Sequence, residues 1–364
     1  MRLLTSAVWT TIATGLVTGC SGNIAGPSGA ATAGGGGIAP YVAHLPVAPV
    51  WSELATAIPD GLAPRAGESR LRLGPDFNPD KKKPKGGLYG SQFYAGVING
   101  YPANNAGDHA PICSVAASYP NNVAVDGMGN LIDPDGGSHS IVVYRGKGMC
   151  GRKLGTISDP YGQPADAATA NAATGKIAVA NIFDVSGGAG SISVCTLSHG
   201  CKSNLTNSAM YKVAGVAMAR NGDCWASSVN ASGAATLTFF KACTGSGKVA
   251  TGFANAFYGG IDIDKRGNLV TVDLGGSGTS TVNVYKGCNP KCKLVGGPFP
   301  LQGETVYGHL NKTSSSFAAA DFQYGQIDVY KYAGSSLKYL YSFNKGLSVS
   351  DDVEGAAYNP PSKE

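Results

Sequence analysis

Four oxygen-bearing side chains, Asn121, Asp166, Tyr307 and Glu354, stand at equivalent places in a repeating pattern. If the repeats close into a ring, these side chains gather at one mouth of its axis. Ala214 and Gly259 hold the same place in the other two copies and offer no side-chain ligand. Oxygen donors suit a hard divalent cation such as Ca²⁺, which takes about six to eight of them. A cation held there could polarise a lactone or ester carbonyl and activate a water for attack. The plainer reading of the same column is polar capping of strand ends, with no cofactor. His309 lies two residues beyond Tyr307 and reads as a packed strand residue rather than a base. No Gly-x-Ser-x-Gly elbow occurs, and no Gly-Lys-Ser/Thr follows Gly34–Gly37. The sequence assigns no catalytic residue.

Cysteine carries the other chemistry. Arg2 is followed by a mostly apolar stretch, Leu3–Val17, and then by Thr18-Gly19-Cys20. The stretch has the length of a signal-peptide core and is too short to span a bilayer. Leu16-Val17-Thr18-Gly19-Cys20 resembles the lipobox of bacterial lipoproteins. That resemblance implies cleavage after residue 19, diacylglycerol on the Cys20 thiol and an acylated new N-terminus. It implies anchoring to a membrane of the bacterial cell envelope, with the rest of the chain outside the cytoplasm. Ser21, rather than Asp, implies the outer membrane if the envelope is Gram-negative. Setting Cys20 aside leaves Cys113, Cys150, Cys195, Cys201, Cys224, Cys243, Cys288 and Cys292. An even number in an exported chain predicts disulfides. Spacing predicts local staples at Cys195–Cys201 and Cys288–Cys292, and Cys224 facing Cys243 on adjacent strands. Cys113 and Cys150 remain, and would link two neighbouring repeats. No Cys-x-x-Cys occurs, which argues against a structural zinc site.

The elements that must position these groups are short strands. The 364 residues include 53 Gly and are only 14% charged, which excludes a coiled coil and a highly charged disordered chain. Gly shows no three-residue period, which excludes collagen. The net charge of +5 is weakly basic, and the one dense run is Lys81-Lys82-Lys83-Pro84-Lys85. Without a basic face interleaved with aromatics, nucleic acid is not an expected partner. The run reads as solvated linker, or alternatively as a contact for anionic lipid or glycan. Residues 21–40 are Gly, Ala, Ser and Pro, a composition that cannot order itself. As a flexible coil the tether up to residue 86 spans roughly 45 Å r.m.s..

From residue 87 the chain repeats. Val123-Ala-Val-Asp126-Gly-Met-Gly-Asn130-Leu131 and Ile261-Asp-Ile-Asp264-Lys-Arg-Gly-Asn268-Leu269 are each two strands around a tight turn. Weaker copies begin at Ala168, Val216, His309 and Ala356. A third strand follows, as in Ile141–Tyr144, Val282–Tyr285 and Ile327–Tyr330, and then a fourth, as in Leu337–Tyr341. A period of roughly 45 residues with four strands is a propeller blade. The first copy lacks its opening strand, and the last copy, Val353–Pro360, has only that strand. The two complete one blade, giving six. A column of small residues follows the mouth column: Gly215, Gly260, Gly308 and Gly355, with Asn122 and Ala167. Small residues fit an axis where backbones crowd.

The units at 123–144 and 261–285 resemble NHL-type six-bladed propeller repeats. The resemblance covers most of residues 87–360 and implies a fold rather than a reaction. The pair Glu354-Gly355, with Asn121 and Asp166, is similar to the metal-ligand set of gluconolactonase-like propellers. That resemblance implies a channel-mouth cation. The expected organisation is a signal peptide over 1–19, a lipidated tether over 20–86, an all-β six-bladed propeller over 87–360 and a tail over 361–364. The expected function is a lipid-anchored binding scaffold for an envelope protein or glycan. The alternative is a metal-dependent lactonase or esterase.

Overall fold

The computed structural model describes residues 72–73, 87–102, 108–146, 149–169, 175–275 and 279–359. The expected signal peptide, Cys20, nearly all of the tether and the tail lie outside the described residues. Among the described residues no helix is long and apolar enough to cross a membrane.

The described chain is a six-bladed propeller of antiparallel four-stranded sheets. Blade one runs outward from Val353–Asn359 through Gly87–Gln92 and Val97–Pro102 to Cys113–Ala116. Its inner strand is therefore the last of the chain, and Leu88 pairs with Tyr358 across the closure. A two-residue strand, Arg72–Leu73, adds a fifth strand outside it, within the segment expected as tether. Blade two runs from Ala124–Val125 through Leu131–Asp135 and Ser140–Tyr144 to Lys153–Ser158. Blade three comprises Gly162–Thr169, Lys176–Asp184, Ser191–Thr196 and Gly200–Leu205. Blade four comprises Lys212–Met218, Cys224–Val229, Ala235–Phe240 and Lys248–Val249. Blade five comprises Ile261–Ile263, Leu269–Asp273, Thr281–Lys286 and Lys293–Pro300. Blade six comprises Thr305–Leu310, Ser316–Asp321, Gln326–Tyr332 and Leu337–Phe343.

The repeated Asp and Asn residues build the hairpins. Asp126 Oδ1 accepts from the backbone N–H of Met128 and Asn130 at 2.9 and 2.8 Å. Asp264 repeats this with Arg266 and Asn268 at 2.8 and 2.9 Å. Gly129 and Gly267 take φ of 84° and 76°, the left-handed conformation such turns need.

Middle strands such as Leu131–Asp135 and Ser140–Tyr144 are buried along their whole length, and outer strands are exposed. Each sheet thus has two apolar faces that only neighbouring blades can cover. Six hydrophobic clusters fill the six junctions. Tyr144 and Tyr89 meet between blades one and two, and Leu88 and Phe343 close the ring between blades one and six.

All four disulfides form as the spacing predicts: Cys113–Cys150, Cys195–Cys201, Cys224–Cys243 and Cys288–Cys292. The first joins blades one and two. All eight cysteines lie at the hairpin ends away from the mouth face, where inner strands begin. The bonds close loops of 37, 6, 19 and 4 residues. Chain-entropy scaling makes the longest worth about 4 kcal/mol and the shortest about 2 kcal/mol. Denaturant titrations of Cys113→Ala/Cys150→Ala should therefore show the larger loss, and those of Cys288→Ala/Cys292→Ala the smaller.

Candidate functional site

Inner strands enter the axis through bulges. In blade three Ala180 pairs with Asp166 but Asn181 pairs with Pro164, so Ala165 bulges out. Shifts at the same end occur opposite Ala214, Val306–Tyr307 and Glu354. A bulge re-aims the side chains beside it. The count sets Asn121 level with Asp166, whereas the structure sets Asn122 there.

Asn122 Nδ2 donates to Asp166 Oδ1 at 2.7 Å and stands 2.9 Å from His309 Nε2. Asn121 bonds elsewhere, its Nδ2 donating to the Pro164 carbonyl at 2.9 Å. Asp166 also accepts from the N–H groups of Ala167 and Val216 at 2.7 and 2.9 Å. His309, expected as packing, is a polar member of this network. Its Nε2 stands beside the Asn122 amide, and its Nδ1 lies 3.5 Å from Asp262 Oδ2. Asp262 Oδ2 accepts from Leu310 N–H at 2.8 Å. The inner strands of five blades are thereby tied together across the axis. Gly215, Gly260 and Gly355 allow the approach. A Cβ on Gly215 would sit 2.5 Å from the Gly259 carbonyl, and one on Gly355 would sit 2.8 Å from Asn122 Cα.

Glu354 and Tyr307 share this end of the axis with Asp166 and Tyr258. Burial raises the Tyr307 hydroxyl well above its usual value, and the charges of Glu354, Asp166 and Tyr258 add to that. Burial also pushes Glu354 up, helped by the charge of Asp352 and a hydrogen bond to it. Asp352 is raised too, chiefly by burial. Asp166 is raised to about 6 by burial, partly offset by His309. Burial pulls His309 down, but Asp262 and Asp166 outweigh it and hold the imidazole above its usual value.

Among the unpartnered buried oxygens are Asn121 Oδ1, Asn122 Oδ1, Tyr307 Oη and Glu354 Oε2, all from the start of inner strands. Of these residues, Asn121 is bonded to Pro164. The oxygens of Asp166 already accept three hydrogen bonds, and Glu354 is bonded to Asp352. Asn121 and Asp166 thus spend part of their donor capacity on the chain itself, and Tyr307 Oη does not. Asp159, Cys195 and Cys201 lie close enough to suggest a second metal group. Both sulfurs are spent in a disulfide, so no thiolate is on offer. His309 with Asp262 has the form of an oriented base, but its Nε2 is engaged with the Asn122 amide at 2.9 Å.

No protein-family model matches this chain, and no curated protein does. Solved structures do share its architecture. A chain of a nidogen/laminin complex superposes with a TM-score of 0.55 at 12% identity, covering 75% of this chain and 98% of that one. A protein of unknown function from Bacteroides caccae gives 0.52 at 10% identity, with the same coverages of 75% and 98%. At these identities the likeness shows the propeller fold.

The Glu354–Asp352 pair has a pH consequence. The pair keeps a proton in the native state that an unfolded chain releases as pH rises through the ordinary values of 3.8 for Asp and 4.5 for Glu. The native state therefore loses stability as pH rises from there through the raised values. Glu354→Gln should flatten that decline. Its melting temperature should rise by about 2–4 °C per kcal/mol at pH 7 and stay unchanged at pH 4. A cation held by Glu354 would reverse the sign, and the variant would melt lower at pH 7.

Proposed function

We propose that this chain is a lipid-anchored envelope protein whose propeller is a binding scaffold, with the mouth face as its binding surface. The observation that carries the reading is the make-up of that face. Loops 301–304 and 344–352 on that face carry Glu304, Lys345, Asp351 and Asp352, but loops 117–122, 159–163, 206–211 and 252–260 contain one charged residue, Asp159, which is buried. The rest is Tyr, Asn, Ser, Gly, Ala and Pro with a few Phe, Thr, Gln and Met residues. Tyr94, Tyr211 and Tyr324 stand exposed around the rim, from blades one, four and six. Rigid aromatics among small polar residues are the composition of an antibody paratope, which gains contact area at low entropic cost. Interfaces are likewise enriched in Tyr and depleted in charge at their core.

The axis beneath this face is crossed by the chain's own hydrogen bonds, which favours recognition by the rim over passage through the channel. A protein partner suits the paratope-like surface better than a glycan. The likeness to a chain from a nidogen/laminin complex is compatible with such a role. The lipobox-like Leu16–Cys20 supports display at a membrane.

A second reading, a divalent-cation lactonase or esterase, draws on the unpartnered oxygens of Asn122, Tyr307 and Glu354. Three such oxygens fall short of the donor set that Ca²⁺ takes, and no catalytic step is derived from them.

Two measurements test the scaffold reading. Cys20→Ser should move the protein from the membrane fraction to the soluble fraction of the envelope; unchanged fractionation would remove the lipid anchor. Tyr94→Ala/Tyr211→Ala/Tyr324→Ala should abolish crosslinking to envelope proteins while the melting temperature holds. Retention of the same crosslinked species would remove the mouth face as the binding surface.

A further inference from the structure

The two faces of the ring differ sharply in charge. Inner and third strands run away from the mouth, so the hairpins after them all lie on the opposite face. That face is basic. Lys241 of blade four, Lys265, Arg266 and Lys291 of blade five, and Lys312 and Lys331 of blade six are all exposed there. The hairpins that carry them touch. Lys265 N–H donates to Ser314 Oγ at 2.9 Å, and a Cβ on Gly334 would sit 3.1 Å from an Arg266 guanidinium nitrogen.

Acidic residues on this face are committed to their own turns. Asp126 and Asp264 cap hairpins, and Asp264 Oδ2 also accepts from Tyr332 Oη at 3.1 Å. Asp223 Oδ1 accepts from Ala242 N–H at 2.7 Å. The ion pairs seen among the described residues, His309–Asp262 and Lys345–Asp108, involve none of the six basic side chains. The face has this charge without counting Lys81, Lys82, Lys83 and Lys85, which lie outside the described residues.

The propeller also joins the rest of the chain on this side. Gly87 pairs with Asn359 and Pro102 at that end of blade one. Asn359 Nδ2 reaches the Gly129 and Gly146 carbonyls of the blade-two hairpins at 3.1 and 3.3 Å.

We propose that this basic face docks on an anionic bilayer, with lipid headgroup phosphates as its partner, and turns the mouth face away from the membrane. Charge complementarity and the position of the chain junction carry the assignment. The groups are mostly lysines, spread across three adjacent blades on one end of a disc, and so match a flat field of phosphates. Each basic side chain within a Debye length of such a surface raises affinity about five-fold. The contact goes beyond the anchoring and scaffold reading and holds whether or not Cys20 is acylated.

The test uses the full chain with Cys20→Ser, so that no acyl group contributes. It should cosediment with vesicles of phosphatidylcholine and phosphatidylglycerol, release at high salt and ignore vesicles of phosphatidylcholine alone. Lys265→Gln/Arg266→Gln/Lys291→Gln should weaken the binding roughly 100-fold with an unchanged melting temperature. Three results would each overturn the proposal. The first is equal binding to both vesicle types, which assigns the contact to the apolar Leu3–Val17 segment. The second is no binding to either type, or an unaffected triple variant. The third is tighter binding to a soluble polyanion such as heparin than to the anionic vesicles. None of these results bears on acylation of Cys20, which membrane fractionation tests separately.

Discussion

Ring closure is the constraint on which the molecule depends. A four-stranded blade with Leu, Val, Ile and Tyr on both faces is insoluble in isolation, because each face needs a neighbour. Six blades supply six junctions only if the first and last are neighbours. The pairing of Val353–Asn359 with Gly87–Gln92 makes them so, and it places Leu88, Tyr101, Phe343 and Tyr358 in one cluster. Local hairpins can form before that event, but burial at this junction cannot. The long-range disulfide between Cys113 and Cys150 reinforces the adjoining junction, between blades one and two.

Closure also creates the axis and its polar character. Inner strands approach so closely that a Cβ at Gly215 or Gly355 would force backbone atoms apart. Buried amides and carboxyls there must find partners within the ring, since unsatisfied groups are costly. Asn122, Asp166, His309 and Asp262 find one another. Glu354 and Asp352 solve the same problem by sharing a proton, and Tyr307 is left without a partner. Carboxyls raised by burial commonly mark working sites. In this ring, structural closure accounts for Asp166 directly, while Glu354 and Tyr307 keep unspent hydrogen-bonding capacity.

The two faces follow from strand direction. Disulfides, charged hairpins and the junction with the N-terminal segment all fall on one end. Four loops without an exposed charge, and the exposed Tyr94, Tyr211 and Tyr324, fall on the other. A scaffold built this way separates the end that can seat on a surface from the end that can recognise a partner. The stapled face is also the more constrained, so loop variation at the mouth costs the fold little.

The blade count, the closing strand and the four disulfide pairings are legible in the sequence because they are periodic or local. A hairpin repeats its Asp, Gly and Asn, and two cysteines four or six residues apart have few other partners. The site is less legible. Asn121 and Asn122 are adjacent in sequence, and only the hydrogen bond from Asn122 Nδ2 to Asp166 Oδ1 shows which one meets Asp166. His309 looks like strand packing until the ring brings it beside Asn122 and Asp262, residues far away in the chain. Sequence by itself thus determined the six-bladed all-β architecture and its staples. Only the tertiary structure decided which side chains meet on the axis, because closure joins strands that no local pattern relates.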